Sequence, residues 1–229
     1  MDAIDIQPSR LERAKQKIRD LLALRPGART ALFVYAGSAH MVLPLTDDPS
    51  LMELFLSSLS TQLMPAPGKN AAGALETVES LLEREEAPGT ILFITDGIEN
   101  GDFPRFVRHA QESTDQIMVL GVGTSKGGPI KVDQDRFLTD SSGRRVTSRM
   151  DVDGLKRLRS EAGVKVTTVS LDNEDVEWIQ DEAQTHLQLV QQQTAEQRWI
   201  DYGYFLTIPI VLVTAFWFRR GWTVRWVRG

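Results

Sequence analysis

Cysteine is absent from the 229 residues. That excludes disulfide frameworks, zinc–thiolate sites and a catalytic thiol, and it leaves the redox compartment undetermined. Histidine is scarce: His40, His109 and His186 fall on a predicted turn and two predicted helices, and none has metal-ligand spacing. The nucleophile-elbow pattern G-x-S-x-G does not occur. Two glycine-rich stretches fall short of phosphate cradles. Gly121-Val122-Gly123 runs on into Thr124-Ser125-Lys126 without a third glycine, and Pro67-Gly68-Lys69-Asn70 lacks both the upstream glycine and the Ser/Thr of a P-loop. Nucleotide binding is therefore unsupported. Positive charge is also short, because residues 1–218 carry 22 Lys/Arg against 31 Asp/Glu, a poor match to nucleic-acid phosphate.

What is present is a globular composition, 41% hydrophobic and 25% charged, which fits neither a disordered chain nor a wholly membrane-embedded one. The length allows one full domain plus an appendage. The appendage is legible as an uncharged stretch, Tyr202 to Phe218 (YGYFLTIPIVLVTAFWF), at the short edge of the ~17–25 residues a spanning helix needs. Trp199, Tyr202 and Tyr204 flank one end and Trp217, Trp222 and Trp226 the other, as aromatic belts at two headgroup layers would. Pro209 is tolerable in such a helix. Arg219, Arg220, Arg225 and Arg228 follow the stretch, against Arg198 alone just before it, so the tail is expected in the cytoplasm and the body outside. The first fifteen residues (MDAIDIQPSRLERAK) contain no apolar signal region that would export such a body. The expectation that reconciles the two is a gene product starting upstream of Met1.

Pro8 to Leu24 reads as an amphipathic helix with Leu11, Ala14, Ile18, Leu21 and Leu22 on one face. TALFVYA (30–36) is the nearly unbroken apolar run of a strand covered on both faces, and Met41–Leu45 an edge strand because of Pro44. Helices over 51–59 and 75–82, a strand TILFIT (90–95), a helix 103–113, a strand QIMVLGV (116–122), a helix 151–162 and a strand VKVTTV (164–169) continue the alternation. Residues 125–150 form a polar excursion, with a hairpin turn at Ser141-Ser142-Gly143. Buried strands alternating with amphipathic helices predict a doubly wound, mainly parallel α/β sheet. The predicted organisation is an α/β domain over 1–172, a connecting helix over 173–201 with a Gln-rich turn at 191–193, a transmembrane helix over 202–218 and a basic tail over 219–229.

In open α/β sheets, ligands sit beyond the carboxyl ends of the strands. Thr95-Asp96-Gly97 directly follows ILFI there. The Asp carboxylate suits a divalent cation, but Asp-Gly is also a common turn pair, and the spacing alone leaves both readings open.

The ordered succession IDIQPSRLERAK, FVYAGSAHMVLPLTDD, ILFITDGIEN, GVGT followed by GGPI, FLTDSSGRRVTSRMD and a closing FRRGW covers essentially the whole chain. It resembles the von Willebrand factor type A (VWA) membrane proteins of bacterial aerotolerance (Bat) operons. The resemblance implies a Rossmann-like VWA domain held at the bacterial inner membrane, with the domain on the periplasmic side. The implied role is protein binding and assembly without catalysis. The implied partners are other membrane or periplasmic proteins, VWA relatives and a MoxR-type AAA ATPase, besides the lipid bilayer and without nucleic acid.

The family's metal-ion-dependent adhesion site combines D-x-S-x-S after the first central strand, a later threonine and the Asp of T-D-G. Asp96 matches the last of these. Met1 stands where the family has the residue immediately after D-x-S-x-S, so the resemblance implies that the first central strand and its ligands are not in this sequence. Lys69 stands where the threonine belongs. Its ammonium would repel Mg²⁺ and could pair with Asp96 instead, so the expected cofactor is none, although the parent family holds Mg²⁺. Asp96, Gly97, Lys69 and Asn70 form the expected partner-binding face, with Asp96 a vestigial ligand. Trp199, Tyr202, Trp217, Arg219 and Arg220 form the expected anchor. Two alternatives stand beside this reading. One is a fragment that does not fold alone, and the other is a phospho-acceptor or enzyme using Asp96, which lacks a second acidic cluster and an activated nucleophile.

Overall fold

The computed structural model describes residues 1–85, 88–133, 136–196 and 203–217. The chain divides into two compact units, 1–190 and 191–229. In the first, α1 (Arg10–Leu24) opens with Ser9 as N-cap, its hydroxyl accepting from the Glu12 N–H at 3.2 Å. Pro8 lies ahead of the cap and not in the first turn as predicted, because the serine hydroxyl satisfies an orphan helix N–H that proline leaves bare. β1 (Thr30–Tyr35) and β2 (Ala39–Thr46) form an antiparallel pair, with Thr30 opposite Thr46 and Tyr35 opposite Ala39. α2 (Pro49–Ser58) is capped by Asp48 and α3 (Ala71–Leu82) by Asn70. A single 3-10 turn, Thr61–Leu63, lies between these two helices.

β3 (Thr90–Thr95), α4 (Phe103–Glu112) and β4 (Gln116–Gly121) follow. The excursion comprises β5 (Gly128–Pro129), β6 (Lys131–Asp133), β7 (Arg136–Phe137) and β8 (Thr147–Ser148). α5 (Val152–Glu161), β9 (Lys165–Thr168) and α6 (Glu174–Glu196) complete the order. The predicted turn is present, with Gly143 N–H donating to the Asp140 carbonyl at 3.0 Å, but the excursion is more than one hairpin. β5 pairs with β8 and β6 with β7.

β3, β4 and β9 form a parallel sheet with β4 in the middle, with Ile91 opposite Ile117 and Val119 opposite Val166. Among the described residues β1 and β3 share no ladder, so the central layer is two separately hydrogen-bonded sheets, β2–β1 and β3–β4–β9. Alternate residues of a strand point to opposite faces, and the two core clusters divide accordingly. Ile91, Phe93, Ile117 and Val119 pack with Leu75, Phe106, Leu155 and Leu158 from α3, α4 and α5. Met118 and Leu120, with Leu92 and Ile94, pack with Leu21 of α1 and Ile179 and Ala183 of α6. A third cluster sets Leu32 and Leu43 of the β1–β2 pair against Ile18, Leu22, Met52 and Leu56 of α1 and α2. Burial on both faces is why these strands read as continuous apolar runs.

α6 stays helical through Glu196, so Gln191–Gln193 are helix and not the predicted turn. Glutamine is a fair helix former, and no glycine or proline interrupts the run. Val176, Ile179 and Ala183 are buried, the last two in the second cluster, which makes the first half of this helix a layer of the domain.

Helix α7 (Gly203–Trp217) belongs to the second unit. It has 15 residues, about 22 Å of rise, and among the described residues no helix is long and apolar enough to cross a membrane. Its apolar side chains are exposed, Ile208 at 50% and Phe216 at 67%. Of the expected anchor, Trp199, Tyr202, Arg219 and Arg220 lie outside the described residues, and Trp217 closes α7.

Candidate functional site

Asp96 follows β3 at the carboxyl edge of the parallel sheet and is 6% exposed. Two loops carry a cation to it. The Ala36–Ser38 turn between β1 and β2 touches the loop before α3 backbone to backbone. Asn70 N–H donates to the Ala36 carbonyl at 2.7 Å, and Gly37 N–H to the Ala66 carbonyl at 3.0 Å. A Cβ on Gly37 would stand 2.6 Å from the Pro67 carbonyl oxygen, so only glycine permits this approach. The contact holds Lys69 over Asp96, with Nζ 2.8 Å from Oδ1.

The opposite side of Asp96 is closed by Arg10, a fully buried residue of the first turn of α1. Its Nη1 donates to Asp96 Oδ2 at 2.9 Å and to Ser148 Oγ at 3.2 Å. Its Nε and Nη2 form a fork on Asp5 at 2.8 and 2.9 Å, and Nη2 also donates to the Ser148 carbonyl at 2.9 Å. Asp5 in turn accepts from the backbone and hydroxyl of Thr124 at 2.7 and 2.9 Å. Five residues distant in sequence thus form one closed network, Lys69–Asp96–Arg10–Asp5–Thr124, with Ser148 at its side.

The electrostatics follow from this closure. Burial acts to raise the Asp96 carboxyl, but the Lys69 hydrogen bond and charge, the Met1 ammonium 3.9 Å away and the Arg10 charge outweigh it and hold the group below the usual carboxylate range. Burial likewise opposes ionisation of Asp5, yet Arg10 and the two Thr124 donors lower it to about 2. Burial pushes the Tyr35 phenol up to about 12, against a lowering contact with Thr95.

The expected partner face is only partly a face. Lys69 and Asn70 are exposed, whereas Asp96 and Gly97 are buried. Asn70 uses Oδ1 to cap α3, accepting from Gly73 N–H at 2.8 Å. Gly97 is a backbone requirement: its φ is +155°, and a Cβ there would stand 2.7 Å from Cβ of Asp151, the N-cap of α5. Arg10, Asp5, Thr124 and Ser148 escaped the sequence reading. The signal that could have found them is the pairing of an acid with an arginine just before and inside the first helical turn, in D-I-Q-P-S-R.

As arranged, these donors do not fit a divalent cation. Both oxygens of Asp96 and both of Asp5 already accept from cations or N–H and O–H donors, and the space beside Asp96 is filled by an ammonium and a guanidinium. Among the described residues no group of three His, Asp or Glu side chains gathers to hold a metal ion. The groups that hold Asp96 are thus an ammonium and a guanidinium, and the arrangement binds charge.

The first part of the chain, with this network around a strand-end Asp, defines a class. Residues 1–99 match the von Willebrand factor type A domain family. More particularly, the chain is similar to aerotolerance proteins of known structure. It is similar to BatB from Bacteroides thetaiotaomicron at 29% identity, over 81% of this chain and 92% of that one, with a TM-score of 0.73. An aerotolerance-related membrane protein from Bacteroides fragilis matches at 29% identity over 81% of this chain and 93% of its own, also with a TM-score of 0.73. No curated protein matches the chain.

Proposed function

We propose that this protein is a membrane-anchored VWA interaction module, non-catalytic and with a degenerate metal site, whose strand-end face binds a partner protein. The observation that carries the reading is the occupation of both Asp96 oxygens by Lys69 and Arg10. A carboxylate so held offers neither a cation seat nor a nucleophile, while Lys69 and Asn70 stay exposed above it for contact. Partners in this reading are membrane or periplasmic proteins, including other VWA chains and a MoxR-type ATPase. The uncharged stretch 202–218 anchors the chain in the inner membrane, its arginine-rich tail in the cytoplasm and its domain on the other side. The similarity to a protein described as membrane-bound and aerotolerance-related supports the setting.

The test is photo-cross-linking in cells, with a benzophenone side chain at position 70 and a control at Glu112 on α4. A discrete adduct from position 70 and none from 112 is expected. Equal labelling, or no adduct from position 70 in membranes, contradicts an interaction face there.

A further inference from the structure

Charge along the chain is uneven in one place that the strand-end network does not absorb. The excursion 125–150 carries six Lys/Arg against three Asp, while the rest of residues 1–218 carries 16 against 28. This net-positive stretch is thus gathered on two short hairpins; another, residues 10–29 with seven Lys/Arg against two Asp/Glu, lies on and just after α1, where Arg10, Lys15 and Lys17 are buried. Lys126, Lys131, Arg145 and Arg149 on it are exposed. Arg144 is engaged by Asp140 at 3.2 Å, but none of these four forms an ion pair among the described residues. The Arg145 guanidinium lies 4.5 Å from the Phe137 ring centre, which fixes it by a cation–π contact while the residue stays exposed. Val132 and Leu138, next to Lys131 and Phe137 in sequence, are 51% and 42% exposed.

Arginine, an aromatic platform and exposed aliphatic side chains together are the composition of a protein-binding patch, in contrast to the bare lysine cluster that suits a phosphate or headgroup layer. The patch is also tied to the site. Ser148, between Arg145 and Arg149, holds Arg10 through its carbonyl and hydroxyl, and an isolated bridge joins Ile130 to Ala3. We infer that the excursion is the docking surface for an acidic, partly apolar segment of a partner protein, recognised by Lys131, Arg145 and Arg149 with Val132 and Leu138. This inference rests on the strand-end face being an interaction face and names the chemistry of what that face takes.

The experiment uses the full chain in neutral detergent and a fluorescein-labelled peptide of roughly twelve residues, glutamate interspersed with leucine, read by anisotropy. Saturable binding that weakens steeply toward about 300 mM salt is expected. Arg145→Glu/Arg149→Glu should weaken binding by about tenfold or more, since two exposed attractions become repulsions. The control Lys156→Glu/Arg159→Glu on α5, with the same change in net charge, should stay within about twofold, because these exposed charges lie outside the patch and act on the peptide only through screened solvent. Arg145→Lys/Arg149→Lys should retain binding, which separates charge from folding. No binding by the wild-type chain, or equal loss in both reversed pairs, overturns the inference. So does reversal-sensitive binding to phosphatidylglycerol vesicles with none to the peptide. Adducts from position 70 alongside any of these outcomes would leave the proposed interaction face standing and remove only its acidic specificity.

Discussion

Replacing Arg10 with methionine removes one fully buried guanidinium and, with it, the donors to Asp5, Asp96 and Ser148. The methionine fills much of the space but leaves two carboxylates that are 2% and 8% exposed at their side chains with Thr124 and Lys69 as their remaining partners. Breaking a buried ion pair from one side costs about 3–5 kcal/mol. Against a total of about 5–15 kcal/mol for a typical domain, that is a large loss. Urea denaturation of the full chain in neutral detergent at pH 7 measures it. A second readout is acid stability. Asp5 has its folded value lowered from 3.8 to about 2, so its contribution is fully present above about pH 4 and is lost as pH falls through 2. Asp96 is lowered too and acts in the same direction. Arg10→Met should therefore show a flatter fall in stability between pH 4 and 2 than the wild-type chain. Adding Asp5→Asn should recover part of the loss, because the stranded charge goes with it. A loss below about 1 kcal/mol with an unchanged acid slope would refute the closed network.

The remaining expectations are independent of that network. Gly97→Ala should cost about 2–4 kcal/mol, from the positive φ and the 2.7 Å approach to Asp151, and an unchanged thermal midpoint would show that the turn relaxes freely. Lys17→Met should cost about 3–5 kcal/mol, because it strands the buried Asp175 carboxylate, 2.7 Å from Nζ, where α6 docks on α1; near-neutral stability would show that this pair is dispensable. The chain should resist carbonate extraction from membranes and be released by deletion of residues 199–229, whereas an intact chain in the soluble fraction would remove the proposed anchor.

The strands of the parallel sheet were legible because burial on both faces writes continuous apolar runs such as TILFIT and QIMVLG, and period two then assigns Ile91 and Phe93 to one core and Leu92 and Ile94 to the other. Asp96 was legible for a related reason: a lone acid immediately after a buried strand marks the strand's carboxyl end. Arg10 was not. On an amphipathic helix an arginine reads as solvated, and its burial depends on Asp96 and Ser148, 86 and 138 residues away, which no local window contains. Lys17 of the same helix is buried for the same kind of reason, against Asp175. The Gln191–Gln193 run failed differently, because polar composition suggested a turn where nothing breaks the helix. In the excursion, strands of two or three residues carry no period to read, so their pairing is set by contacts such as the Ala3–Ile130 bridge.

The central claim is that the strand-end Asp is closed by Lys69 and Arg10 and takes no cation. Titration calorimetry of the full chain with Mg²⁺, and again with Mn²⁺, tests it most directly. The account predicts no binding tighter than roughly millimolar, since one carboxylate already held by two cations cannot replace most of a hydration shell. Micromolar binding by the wild-type chain, abolished in Asp96→Ala, would contradict it.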